Sequence, residues 1–455
     1  MHPDSLNDAT ALAEAFALGR TDPVQVLEQA LELAEATPHV FISLCPARAR
    51  REAEAAAARW RDGQPLSLFD GVPLAWKDLF DVAGTITTAA AQVRRDAPPA
   101  NVDAPSVRQL CRAGLVSLGK TNLSEFAYSG LGLNPHFGTP INPHSDAQPR
   151  IPGGSSAGSA VAVAAGIVPI AMGTDTAGSI RIPAAFNGLV GYRATSRRYD
   201  RDGVFPLAHS LDSLGPLTRS VRDAWVIDGL LGGGDPRQLP LPRSLAGQRF
   251  WVDLQVLDDS RTQAAVRANL LVVIERLQQA GALVELRPLP SLQATLQLIQ
   301  EQGWLGAAEA FALHQPLLDS EYAEQLDPRV RRRLENARQM PASQLLRLYE
   351  ARRQLQQQVQ DELDGAVLIT SFGNDFCWLQ IVGEVCTPPR SDVQPITRCG
   401  VSNKQSVLIF NYAQLEMLLE CCTANPSSSM LSNSIFVAPP GAKEEAPSIT
   451  NDWLE

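Results

Sequence analysis

The sequence predicts an α/β fold in which helices pack on the faces of a β-sheet. Three observations carry that expectation. From Gly71 onwards, short apolar runs of strand length alternate with amphipathic helical patterns. Two of those runs, VPLAW and IVPIAMG, are apolar almost throughout, as strands covered on both faces should be. The 455 residues are 45% hydrophobic and 19% charged, which suits a large buried core and not a disordered chain.

The elements follow in order. Asp22 can cap a helix that Pro23 opens, with Val24, Leu27, Ala30, Leu31 and Ala34 on one face. Ala47 to Arg61 reads as a second, Ala-rich helix. VPLAW (72–76) is a strand, Asp103 to Arg112 a helix ended by Gly114, and LVSLG (115–119) the next strand. SAGSAVAVAAG (156–166) reads as a buried helix of small residues and IVPIAMG (167–173) as a buried strand. IPAAFNG (182–188) is a short helix opened by Pro183. RFWVDL, a helix from Thr262 to Ala280 with Val266, Leu270, Val273 and Leu277 on one stripe, and ALVEL form a further βαβ-like unit. Residues 290–363 read as mainly helical.

Composition narrows the function. Thirty-nine basic against 49 acidic residues give a net charge of −10, which offers no field for phosphate backbones and excludes a nucleic-acid-binding body. The longest apolar stretch, Ala160 to Met172, is shorter than the roughly 20 residues of a bilayer helix and contains Gly166 and Pro169, so no membrane partner is expected. MHPDSLNDAT lacks the basic and apolar regions of a secretory signal, and a cytoplasmic location is expected. Seven cysteines without repeating CxxC spacing, and six histidines without an HExxH pattern, point to neither a metal site nor a disulfide framework. The vocabulary changes near Ser371. Residues 1–370 hold 33 Arg and two Lys, whereas 371–455 hold two of each together with five of the seven cysteines. Two segments are therefore expected, 1–370 and an atypical 371–455.

Lysine scarcity is itself a signal. A chain so biased towards Arg should keep Lys where an amine must lose its proton, which guanidinium cannot do. Lys77 ends a strand where an α/β sheet meets its ligand crevice, and Lys120 follows another. Either could be a buried general base, and either could be a salt-bridged structural residue. The second cluster is PGGSSAGSA (152–160) followed by GTDTAGSIRIPAA (173–185), two serine-bearing turns around one helix and strand. Glycines in such turns let backbone N–H groups converge on an anion, as an oxyanion hole requires. No GK[ST] follows, so a phosphate-binding P-loop is excluded.

Gly154 to Gly158 matches G-x-S-x-G, which would make Ser156 the nucleophile with Asp212 and His314 as partners. That elbow needs a buried strand before it, whereas NPHSDAQPRIP is polar and proline-rich. Ser179 is better placed, between the strand IVPIAMG and the helix RIPAAF. Asp175 and Arg181 flank its turn as candidate braces, with Asp212 in the same role, and His136 and His144 are candidate pocket residues.

Together, VPLAWKD around Lys77, GGSSAGSA around Ser155 and GTDTAGSIRIPAAFNGLVG around Ser179 resemble the amidase signature family of serine amidohydrolases. The resemblance runs through LDSLGPLTRSVRDA (211–224) to about Thr370. It implies an α/β fold with a mixed central β-sheet covered by helices on both faces, and no metal or organic cofactor. It places the base on Lys77, the bridging serine on Ser155 after a cis peptide, and the nucleophile on Ser179. The oxyanion donors fall on the backbone N–H groups of Thr176, Ala177, Gly178 and Ser179. Ala157 and Ala177 stand where the family usually has glycine, and Arg193-Ala194 where it has Lys-Pro. The implied activity is cleavage of a small carboxamide to its acid and ammonia, with a small-molecule amide as partner and a homodimer left open. The alternatives are the glutaminase component (GatA type) of a glutamyl-tRNA amidotransferase, or an inactive relic. The family's C-terminal pattern is missing after Ser371, which motivates a frameshifted or diverged 371–455 segment.

Overall fold

In the computed structural model, which describes residues 8–233 and 244–369 apart from 255, 256, 258, 261 and 263, helices begin where Asp and Pro direct them. Asp8 caps α1 (Ala9–Ala17) by accepting the Ala11 N–H at 2.8 Å, and Asp22 caps α2 (Pro23–Ala36) by accepting those of Val24 and Gln25. Then come β1 (Phe41–Leu44), α3 (Pro46–Arg61), β2 (Pro73–Lys77), α4 (Pro105–Arg112) and β3 (Val116–Thr121). Next are α5 (Ala157–Ala164), β4 (Ile170–Asp175), α6 (Arg181–Phe186), β5 (Val190–Gly191), β6 (Ser213–Thr218) and α7 (Val221–Gly232). A second group holds β7 (Arg249–Asp253), α8 (Ala264–Gln279), β8 (Leu283–Arg287), α9 (Pro290–Gln302) and α10 (Leu305–Leu318). It ends with α11 (Pro328–Glu335), α12 (Ala342–Leu363) and β9 (Val367–Ile369). The expected atypical segment 371–455 lies outside the described residues.

Six strands form a mixed sheet in the order β1-β3-β2-β4-β6-β5, with β3, β2 and β4 parallel and the other pairings antiparallel. The period of two along β2 and β4 divides the core. Leu74, Trp76, Ile170 and Met172 face one side, against Leu12 and Phe16 of α1, Val107 and Leu110 of α4 and Ile227 of α7. Ala75 and Ala171 face the other, against Leu27 and Leu31 of α2, Ala49 and Ala53 of α3 and Val161 of α5. Helices therefore cover both faces, and Lys77 and Asp175 are the last residues of the parallel strands β2 and β4, at the same edge of the sheet.

The expected βαβ unit forms, but in a separate parallel sheet of order β8-β7-β9. Two local readings change. Val266 is 40% exposed and Ile274 takes its place in the buried stripe with Leu270, Val273 and Leu277, because the helix turns that face onto β7 and β9. Pro183 sits in the first turn of α6, not at its start, where its missing N–H still costs no intrahelical bond. Among the described residues no helix is long and apolar enough to cross a membrane.

Candidate active site

Three segments meet beyond the ends of β2 and β4. The first is Lys77 itself, fully buried, whose Nζ donates to Ser155 Oγ at 2.7 Å and to Thr174 Oγ1 at 2.8 Å. The Thr174 carbonyl lies further off, at 3.5 Å. Burial pushes this amine down to about 7, against the pull of the Asp175 and Asp212 carboxylates. A lysine that ordinarily starts above 10 thus gains a substantial neutral fraction near neutral pH.

The second segment leads into α5. Gly154–Ser155 is a cis peptide, Ser155 and Ser156 are buried, and α5 starts directly after them. Gly158 lets the helix approach the residues before β1 and after β3, since a Cβ there would meet the Val40 carbonyl and lie 2.6 Å from the Asn122 nitrogen. Ala157 and Ala177 both have negative φ, so alanine fits at these two positions without strain.

The third segment is the turn from Asp175 to Arg181 that presents Ser179. Asp175 holds it from inside: its carboxylate accepts the N–H groups of Gly178 at 2.8 Å, Ile180 at 3.2 Å and Arg181 at 3.4 Å. Gly178, at φ +121°, makes the bend that brings those groups back onto one carboxylate. The Arg181 guanidinium binds the same carboxylate through two nitrogens, and Arg193 lies 3.5 Å from it. Although burial works against the charge, these two arginines hold the Asp175 carboxyl well below the usual range. Arg193 thus adds a second cation to the brace. Asp212 fastens the turn from the other side by accepting the Thr176 hydroxyl at 2.6 Å and the N–H groups of Leu207 and Ala208.

The turn and the serine pair are joined directly, because the Ser156 N–H donates to the Ser179 carbonyl at 3.1 Å. Ser179 is 6% exposed, the most open of the three serines. Of the four expected oxyanion donors, Gly178 has its N–H already committed to Asp175. Those of Ala177 and Ser179 have no acceptor among the described residues. Sequence reasoning had no signal for the Gly178 commitment, which depends on Asp175 folding back beneath the turn.

The competing candidates separate. Lys120 is buried in an ion pair with Asp78 at 2.7 Å and donates to Thr87 Oγ1 at 3.2 Å. Ser156 Oγ points at the Thr174 carbonyl, 3.4 Å away. His314 packs 4.3 Å from the Phe126 ring, and Asp212 is occupied with Thr176, Leu207 and Ala208, so no Ser156–His314–Asp212 triad forms. His144 Nε2 meets the Asn187 carbonyl at 3.1 Å and His136 Nε2 faces Glu125 at 3.5 Å. Thr174, which sequence reasoning missed, is the second hydroxyl on the lysine. Its position inside GTDTAGS was the available clue.

A mixed α/β sheet with a buried lysine reaching a serine pair, and a braced serine turn beside it, is the arrangement the resemblance to the amidase signature family implies. A model of the amidase family matches residues 24–370, and the chain belongs to that family. It is 42% identical over 228 residues to AtzE, a component of the 1-carboxybiuret hydrolase of Pseudomonas sp. (strain ADP), covering 50% of each chain. It is 38% identical over 314 residues to the 2-amino-5-chloromuconic acid deaminase of Comamonas testosteroni, covering 66% of this chain and 64% of that one. The chain thus spans about half to two thirds of the curated relatives it matches. A crystal structure of an amidase superposes with a TM-score of 0.71 at 36% identity, over 79% of this chain and 81% of the other. The peptide amidase of Stenotrophomonas maltophilia gives 0.68 at 26% identity, over 83% and 88%.

Proposed function

We propose that Lys77, Ser155 and Ser179 form a proton relay that hydrolyses a small carboxamide to its carboxylic acid and ammonia. The observation that carries this reading is the 2.7 Å contact between Ser155 and a fully buried amine pushed down to about 7. Neutral Lys77 takes the Ser155 proton as Ser155 takes the Ser179 proton, and Ser179 Oγ attacks the amide carbonyl. The oxyanion is received by backbone N–H groups of the turn from Thr176 to Ser179. Thr176, Ala177 and Ser179 are the donors left for the oxyanion, while Gly178 stays with Asp175 as support. One such donor is worth about 3 kcal/mol in other enzymes, so the Asp175 brace that shapes the turn contributes to the rate. The proton returns through Ser155 to the leaving nitrogen, the C–N bond breaks, and ammonia departs. Water then gives a proton to the relay, adds to the acyl carbonyl, and releases the acid with Ser179 restored.

No cofactor takes part in this scheme. The substrate class is an aryl or indole acetamide or an aliphatic amide. Ammonia release from a panel of carboxamides tests the reading. Wild-type protein should release ammonia and the Lys77→Ala, Ser155→Ala and Ser179→Ala variants should not; equal release from all four would refute it.

A second reading follows from similarity, at 39% identity over 280 residues, to the GatA-type component of the glutamyl-tRNA(Gln) amidotransferase of Anaeromyxobacter dehalogenans. The same site would then make ammonia from glutamine for a partner. Co-purification of a second protein in fixed stoichiometry would favour it.

A further inference from the structure

The Ser155 peptide rests in a cradle that the relay does not use. Ser124 donates its N–H to the Ser155 carbonyl at 3.2 Å, and the Gly154 N–H donates to the Gly130 carbonyl at 2.7 Å. Residues 124–130 therefore grip the bridging serine from both sides. Between those two contacts the backbone turns through Phe126 and Ala127, both at positive φ, 51° and 61°. Side chains that occupy this region without glycine must be held there by their surroundings.

Part of the holding is apolar. The Phe126 ring stacks on Phe205 at 5.7 Å and packs against His314. Its N–H donates to the Ala89 carbonyl at 2.9 Å. The polar part comes from Glu125, a fully buried carboxylate at the start of the turn. One oxygen accepts the Asp327 N–H at 2.7 Å and so ties the turn to the first residues of α11; the other faces His136 Nε2 at 3.5 Å. Arg333 makes a second tie from α11, donating to the Tyr128 carbonyl at 2.9 Å.

We infer that Glu125 is a positioning residue for Ser155, anchoring the left-handed Phe126–Ala127 turn to helix α11 so that the Ser155 peptide is held in line with Lys77. The inference rests on the relay proposed above. It adds a function for a buried acid that the relay leaves unassigned.

The charges around Glu125 come from three elements. His136 faces it from the loop before α5, with Arg95 holding the His136 carbonyl at 2.7 Å. Asp327 opens α11, paired with Arg329 at 2.6 Å, and Arg333 lies one turn on. Burial, supported by the Asp327 charge, pushes the Glu125 carboxyl up to about 7, while burial keeps His136 below its ordinary value. The anchor is thus an ionised acceptor above neutrality and a neutral acid below it.

Hydrogen exchange of intact wild-type protein, Glu125→Ala and Glu125→Gln tests the inference, together with the rate at which a fluorophosphonate modifies Ser179. Glu125→Ala should speed exchange in peptides covering 124–130 and 152–156, with distant helices such as α2 unchanged. It should also slow modification by about tenfold, short of the roughly hundredfold that ~1 Å of misplacement costs elsewhere. Glu125→Gln keeps a carbonyl for the Asp327 N–H and should restore both readouts. Unchanged exchange at the cradle in folded Glu125→Ala would overturn the inference, as would a Glu125→Gln variant as fast-exchanging as Glu125→Ala. If Glu125→Ala does not fold, cradle exchange after Arg333→Met, which cuts the second tie from α11, decides on the same terms. Exchange reads the cradle whether or not Ser179 reacts, so an unreactive wild type would count against the relay alone.

Discussion

Replacing Thr174 by valine isolates one contact on the base. Lys77 Nζ donates to Thr174 Oγ1 at 2.8 Å, and valine keeps the shape while removing the acceptor. A hydrogen bond to a charged donor is worth about 2 kcal/mol and a neutral one about 1, so the variant weakens the ammonium by ~1 kcal/mol more than the amine. At ~1.4 kcal/mol per pKa unit this lowers the lysine by ~0.7 unit. The wild-type amine sits at about 7. Only the neutral amine accepts a proton, so activity rises with pH through that value. The variant should therefore show the same rise centred near pH 6, read from the pH dependence of fluorophosphonate modification of Ser179. A midpoint that stays in place or moves up would refute the assignment of this limb to Lys77.

Three further outcomes follow from buried charges. Lys77 is depressed from 10.5 to about 7 in the folded chain, so it costs stability at pH 7 and below, and the cost disappears as pH rises towards 10.5. The stability difference between Lys77→Met and wild type in urea should therefore change by about 4 kcal/mol between pH 7 and pH 10.5; a constant difference would show that the lysine is not buried as described. Lys120→Met leaves Asp78 buried without its cation and should lose about 3–5 kcal/mol in the same assay, while the folded fraction still reacts at Ser179. Loss of reactivity in folded Lys120→Met would transfer the base to Lys120. Burial lowers His314 from 6.5 to about 4, so wild type loses stability as pH falls through that window. His314→Phe should remove up to about 3 kcal/mol of that acid sensitivity without loss of Ser179 reactivity, and a loss of reactivity would revive the triad built on Ser156.

Much of this site was legible because its signals are local. The preference for Arg elsewhere isolates Lys77 and Lys120, and the Gly- and Ser-rich turns mark Ser155 and Ser179. What the sequence left open depends on contacts between segments far apart in the chain. Lys77 and Lys120 lie at the ends of adjacent parallel strands, and their partners differ: Ser155, from the turn before α5, for one, and Asp78 for the other. Glu125 gave no sign of its role, since its partner Asp327 lies 202 residues away. The division of strands into two sheets was equally hidden, because β7, α8 and β8 carry the same alternating pattern as a unit of the central sheet. Helix starts were readable from Asp22 and Pro23, whereas Pro183 misled by two positions because proline is accepted anywhere in a first helical turn.

The most direct test of the relay is to modify the protein with a fluorophosphonate and map the adduct by peptide mass spectrometry, in wild type and in Lys77→Ala. Wild type should give a single adduct on Ser179, and Lys77→Ala almost none. An adduct on Ser156, or a Ser179 adduct that forms equally fast without Lys77, would contradict it.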